Sequence, residues 1–248
     1  MLTGIYKFSA PKYCYQLAEK LQPFFAIICL VLFLDGLWQG LVMAPPDYQQ
    51  GDVYRIIYLH VPLAIWSLGI YVVMAACSLL YFIWKIKIAD IIAKVSAPIG
   101  ALFTLLTLIS GSIWGKPTWG TWWIWDARLT SELILLFIYF GIIAVRHAMP
   151  EPRLASRAAA LVTLIGSVNI PIVHYSVNWW NTLHQGASIL KFGSPSIAPS
   201  MLHPLLVMIT AFLFYYLWIL TIQIKSELLC RDRKTQWVAL LLNEGEHA

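Results

Sequence analysis

Six stretches of about 20 mainly apolar residues, each long enough to cross the hydrocarbon core of a bilayer as a helix, dominate the 248-residue chain. They run over roughly 22–43, 56–84, 92–114, 129–146, 158–179 and 204–225. Backbone polar groups find no water inside a bilayer, so each such stretch must satisfy its own N–H and C=O groups as a helix. The expected fold is therefore all-α: one polytopic domain over residues 1–248 with six transmembrane helices. Charge content agrees, because only 12% of the residues are charged, against about a quarter in soluble domains. The polar stretch before the first span does not resemble a cleaved signal, so that span is expected to be retained.

The formal net charge of +5 invites a nucleic-acid reading, but its distribution excludes it. Lys7, Lys12 and Lys20 precede the first span; Lys85, Lys87 and Lys94 fall between the second and third. Arg146, Arg153 and Arg157 follow the fourth, and Lys225, Arg231, Arg233 and Lys234 follow the sixth. An even number of spans puts all of these on one side, opposite Arg55, Lys116, Arg128 and Lys191. Basic excess marks the cytoplasmic side, so both termini are expected there. The connections 44–55, 115–128 and 180–203 then face outward. The tail beginning at Ser226 is expected to form a short amphipathic helix.

Cys14, Cys29, Cys77 and Cys230 are far apart and form no C-x-x-C, which excludes a structural zinc knot, a thioredoxin-like dithiol and covalent c-type haem attachment. No G-x-x-x-x-G-K-[ST] phosphate loop is present.

The outer connection 115–128 is the least ordinary segment. From Trp114 it reads WGKPTWGTWWIWDARLTSE. One or two Trp at an interface are an aromatic belt, but Trp119, Trp122, Trp123 and Trp125 within seven residues exceed that need. Trp119, Trp122, Trp123 and Asp126 share one face at helical spacing, which predicts an amphipathic helix on the membrane surface. Gly115–Lys116–Pro117 would begin it, with Thr118 as N-cap. Indole faces form a flat apolar floor and their N–H groups seek acceptors. A planar macrocycle with carboxylate arms meets both demands, with Arg128 or indole N–H groups on the carboxylates. Asp126 is expected to orient Arg128 or Arg55.

Of the six histidines, His147 and His247 carry no implied role. His174, inside the fifth span, reads as a hydrogen-bonded interhelical residue. His60, one turn into the second span, and His184, just after the fifth, lie on the outer side with the tryptophans. Together they can supply two axial imidazoles to a haem iron, with His203 competing as second ligand. Ligating imidazoles must be neutral, so binding is expected to weaken below about pH 6.5. Asp35 interrupts the first span at a cost of about 2.5–3.5 kcal/mol if unpaired at mid-bilayer, and is expected to face the bundle or lie near its outer end. Glu132 reads as a dipole partner for the fourth helix. Gly111 and Gly115 form one G-x-x-x-G packing signal.

With these residues assembled, the run WGTWWIWDARLT, six spans and flanking outer histidines resemble the cytochrome c maturation protein C, or haem exporter protein C, family over nearly the whole chain. The resemblance implies haem b held at the periplasmic face of a bacterial inner membrane, with axial His60 and His184. The family signature maps onto Trp119, Trp122, Trp123, Trp125 and Asp126 with Arg128 beside it; Trp114 and Arg55 complete the candidate set. It also implies presentation of haem to the pathway's haem chaperone, protein E, and assembly with ATP-binding cassette proteins A and B and the small membrane protein D. Covalent attachment would occur on the chaperone, which makes this chain a delivery component rather than an enzyme. Two rival readings remain open: haem transport through the bundle, whose polar residues are Asp35, Asn169 and His174, and an electron-transferring membrane cytochrome b.

Overall fold

The computed structural model describes residues 10–184, 186, 194 and 196–246, with side chains to residue 241. Lys7, Lys191 and His247 lie outside the described residues. These residues form helices and connections with no strand beyond an isolated Asp47–Gly51 bridge.

Helix α1 (Pro11–Trp38) continues into a π-helical turn, Gln39–Met43. A 3-10 turn, Asp52–Ile56, leads into α2 (Ile57–Trp84), and α3 (Lys87–Trp119) follows after two residues. Then come α4 (Ala127–Ala148), α5 (Pro152–Gly166), α6 (Asn169–Trp179), α7 (Pro199–Arg231) and α8 (Gln236–Glu246). Six helical segments are long and apolar enough to cross a bilayer, with α5 and α6 together forming the fifth. The terminal α8 supplies the helix expected of the tail; its Trp237 ring lies 5.8 Å from Tyr15.

Helix α3 is the centre of the bundle: 61% of its most apolar window is buried, against 17% for α1. Sequence explains this, because α3 is rich in Ala, Gly, Ser and Thr, which let neighbouring backbones approach. Gly100 faces the Tyr139 ring directly. The buried tyrosines anchor their hydroxyls on partners: Tyr139 donates to the Ser67 carbonyl at 2.8 Å, and Tyr71 to the Thr163 carbonyl at 3.0 Å. Such pairing avoids leaving a polar group unsatisfied in an apolar interior.

The fifth span breaks at Ser167–Val168. Pro171 lacks an N–H and its ring crowds the carbonyl four residues earlier, at Ser167; that carbonyl instead accepts from Ile170 N–H at 3.1 Å. The break frees α6 to lean on α4, where the Asn169 amide donates to the Ser131 carbonyl at 3.0 Å and Arg128 Nη1 to the Val173 carbonyl at 2.6 Å. The chain then leaves the bundle towards His184.

At the opposite end of the bundle, Arg146 pairs with Asp90 at 2.9 Å, and Lys94 with Glu227 at 2.6 Å. Ser156 donates to the second Asp90 oxygen at 2.8 Å. These links tie α3 to α4, α5 and α7.

The expected surface helix through the tryptophans does not form. Helix α3 runs straight through Gly115, Lys116 and Pro117 to Trp119, so Thr118 is no N-cap; its hydroxyl donates back to the Trp114 carbonyl at 2.8 Å. Gly120 then stops the helix with φ 79°, its N–H closing on the Lys116 carbonyl at 3.1 Å. A left-handed residue is a helix end that glycine adopts freely. Asp126, extended at φ −96° and ψ 171°, restarts the helix as N-cap of α4. The helical spacing of Trp119, Trp122, Trp123 and Asp126 thus straddles a helix stop and a helix start. These residues share no helical face.

Candidate functional site

A cavity of about 340 Å³ opens among α2, α3, α4 and α6 at the end of the bundle where the tryptophan segment lies. Its wall is mainly aliphatic: Val61, Ala64, Ile65, Leu68 and Val72 from α2, with Ile170 and Val177 opposite. Polar groups are few and convergent, including His60, His184, Trp114, Trp119, Arg128 and Glu132. Apolar walls with few directed polar groups are the usual make-up of a small-molecule site.

His60 and His184 face one another across the mouth, with ring centroids 6.4 Å apart and planes tilted by 40°. Two metal–nitrogen bonds of about 2 Å, plus a ring radius of about 1 Å on each side, need a centroid separation of about 6 Å. The separation of the two rings is close to that value. His60 is buried, 8% exposed, on rigid α2. Its Nδ1 lies 3.0 Å from the Ser110 hydroxyl. His184 sits outside any helix, its backbone N–H donating to Thr182 Oγ1 at 3.0 Å.

Two glycines on α3 lie against the His60 and Trp119 rings. An ideal Cβ on Gly111 would lie 3.0 Å from His60 Cε1, and one on Gly115 would lie 3.0 Å from Trp119 Cε3. The G-x-x-x-G spacing thus receives the His60 imidazole at Gly111 and, at Gly115, the Trp119 indole with the Thr121 carbonyl at 3.3 Å. Trp114 lies edge-on to His60 at 5.6 Å and donates its Nε1–H to Gln50 Oε1 at 2.9 Å. Trp119 lies 6.1 Å from the His184 ring. Gln50 is held in place by Asp47, whose carboxylate accepts the backbone N–H of Gln49 and Gln50 at 2.9 and 2.8 Å.

The remaining signature residues stand apart from the cavity. Trp122 and Trp125 are 57% and 77% exposed. Trp123 and Trp125 make an edge contact at 5.5 Å, and the buried Trp123 indole N–H has no acceptor among the described residues. Asp126 does not hydrogen-bond either arginine. One of its oxygens accepts the Leu129 N–H at 2.8 Å, capping α4, and the other accepts the Thr182 hydroxyl. It therefore holds the segment that carries His184. Arg55 is also engaged elsewhere: it pairs with Asp52 at 2.8 Å and donates to the Gly40 and Ala44 carbonyls at 2.6 and 3.0 Å. That clamp satisfies carbonyls at the end of the first span, which a helix end leaves open.

Several other readings change. His203 is exposed and joins the Gln39 side chain at 2.7 Å, and Gln39 donates to both Asp35 oxygens at 2.8 Å. His203 does not line the cavity, so it does not compete for the position facing His60. Of the two places expected for Asp35, facing the bundle is not seen; its side chain is exposed, close to the Gln39 end of the first span. Glu132 is 4% exposed and lines the cavity; one oxygen accepts the Ser67 hydroxyl at 2.8 Å, and the other has no partner among the described residues. It is thus a cavity group and not simply a partner of the helix dipole. His174 lines the same cavity with its ring edge-on to Tyr175 at 4.7 Å. Gln50 and Ser110 carried no motif; only their positions across the fold reveal them.

Comparison with known proteins agrees over nearly the full chain. Residues 4–239 match the family model described as heme exporter protein C. The heme exporter protein C of Haemophilus influenzae is 48% identical over 241 residues, covering 97% of this chain and 98% of the relative. That of Escherichia coli K12 is 47% identical over 246 residues, with 99% of each covered. The Paracoccus denitrificans protein of the same name is 36% identical over 243 residues, at 98% and 99% coverage. Matches of this length and identity, on a six-span helical bundle, establish that the chain belongs to the heme exporter protein C family.

Proposed function

We propose that this chain binds haem b non-covalently between His60 and His184 and presents it to the haem chaperone of c-type cytochrome maturation. The observation that carries the reading is the 6.4 Å separation of two imidazoles at the mouth of an apolar cavity. That spacing suits a bis-histidine iron, and the wall suits a porphyrin. Bound haem supplies the cargo and no reaction here. The chain's own residues hold and orient it: Trp114 and Trp119 flank the rings, and Arg128 offers a guanidinium to a propionate. The family name of the relatives supports a haem role, and the basic residues at the opposite end support a periplasmic mouth with both termini in the cytoplasm.

The two ligands are held unequally, which suits delivery. His60 stands on a transmembrane helix, whereas His184 stands on a connection tethered through Thr182 and Asp126. Releasing that tether would free one axial position while the other keeps the haem in place. The exposed Trp122 and Trp125 provide an aromatic surface for the chaperone beside the mouth. The ATP-binding cassette proteins A and B and the small protein D would join the same assembly in the membrane.

The test compares the purified protein with His60→Ala and His184→Ala. Each variant should lose the low-spin bis-histidine spectrum and most of its bound haem. Wild-type haem content and spectrum in both variants would overturn the ligand assignment.

A further inference from the structure

We propose that Ser110 is a positioning residue that sets the tautomer of His60, so that the ring presents a bare Nε2 to the haem iron. The inference rests on the ligand role proposed for His60. Its physical basis is a count of protons. The Ser110 hydroxyl has one proton and two carbonyl neighbours, Leu106 O at 2.7 Å and Thr107 O at 3.2 Å. Carbonyl oxygens only accept, and Leu106 O lies nearer the hydroxyl than Nδ1 does, so we place the proton on the carbonyl side. The hydroxyl's remaining capacity is as an acceptor, and the atom facing it is His60 Nδ1 at 3.0 Å. Nδ1 therefore carries the hydrogen. A neutral imidazole has one N–H, which leaves the Nε2 lone pair free for a metal.

Two further features hold the arrangement. Both residues are buried, Ser110 at 4% and His60 at 8% exposure, so bulk water does not compete for the pair. Gly111, next to Ser110, leaves the space in which the ring lies, and Trp114 closes the ring's edge one turn later. Thr107, Ser110, Gly111 and Trp114 follow the i, i+3, i+4, i+7 stripe of one helix face. One face of α3 therefore forms the bed of the ring. Donation from Nδ1–H also makes Nε2 a more basic ligand.

The experiment replaces Ser110 by Ala and, as a rescue, by Thr, which restores a hydroxyl. In haem-free protein labelled with ¹⁵N histidine, at a pH where imidazoles are neutral, His60 should show the Nδ1–H tautomer in the wild type and in Ser110→Thr. In Ser110→Ala it should become a mixture. Haem affinity should fall by about 10–100-fold in Ser110→Ala, the usual cost of removing an outer-shell partner. The haem midpoint potential should rise, because a weaker imidazole donor favours ferrous iron, and Ser110→Thr should bring both readouts back. An Nε2–H tautomer in the wild-type protein, or an unchanged tautomer, affinity and potential in Ser110→Ala, would overturn the proposal. The wild-type measurement stands even if a variant misfolds. Failure of the ligand reading looks different: His60→Ala would keep its low-spin haem while the haem-free wild type still showed Nδ1–H.

Discussion

The Thr182 hydroxyl hydrogen-bonds the Asp126 carboxylate across 56 residues of sequence. This joins the N-cap of α4 to the connection that carries His184. Asp126 thereby has two jobs on its two oxygens, capping the helix and tethering the His184 side of the site. The two can be separated by mutation.

Asp126→Ala removes both functions. Loss of an N-cap side chain typically costs about 1 kcal/mol, so the variant should melt earlier in detergent and also retain less haem. Thr182→Ala leaves the bond to Leu129 N–H intact, so its melting temperature should stay within error of wild type while haem retention falls. Thermal unfolding and the haem-to-protein ratio, measured on both variants, distinguish the roles. Equal losses of stability would refute the division.

Gly111→Ala places a methyl group 3.0 Å from His60 Cε1, and the ring must shift. Haem affinity should drop with little loss of fold, because the displaced group is one side chain at a cavity wall. Gly141, whose added Cβ would meet nothing within 4 Å, is the matched control. Gly141→Ala should leave haem binding unchanged and stabilise slightly, by about 0.5–1 kcal/mol for a glycine inside a helix.

Trp119 and Trp125 belong to one sequence motif but stand in different places. Trp119 lines the cavity 6.1 Å from the His184 ring, whereas Trp125 is 77% exposed. Trp119→Ala should reduce haem binding in the isolated protein. Trp125→Ala should leave haem spectrum and affinity intact and weaken capture of the haem-loaded protein by the chaperone. Loss of haem from the isolated Trp125→Ala variant would place that indole in the binding wall.

Arg146 and Asp90 form a pair with side chains only 9% and 14% exposed. Removing one partner of a buried pair commonly costs about 3–5 kcal/mol, since the other charge is left unpaired. Arg146→Ala should therefore lower thermal stability markedly. Its haem spectrum at low temperature should match wild type, because the pair lies at the opposite end of the bundle from His60. An altered spectrum would reveal coupling between the two ends.

What the chain determined by itself was its class. Six apolar runs can only be helices in lipid, and that requirement is local: about 20 neighbouring residues decide it, whatever the rest of the chain does. The glycine that ends α3 and the aspartate that begins α4 were equally present in the sequence, but the helical spacing of the tryptophans concealed them. Periodicity counts apolar positions and does not register that Gly120 turns left-handed or that Asp126 caps. Residue chemistry paired His60 with His184 and left His203 as a competing second ligand, and the family resemblance implied the same pair. Tertiary structure draws His203 to Gln39 and sets the His184 ring 6.4 Å from that of His60. It also turned a glycine spacing into the bed of two rings and placed Ser110 on Nδ1 of His60. Apart from Gly115 and Trp119, these relations join residues 50 or more positions apart, and contact at that range is a property of how the helices pack. No local pattern of hydropathy or spacing encodes it.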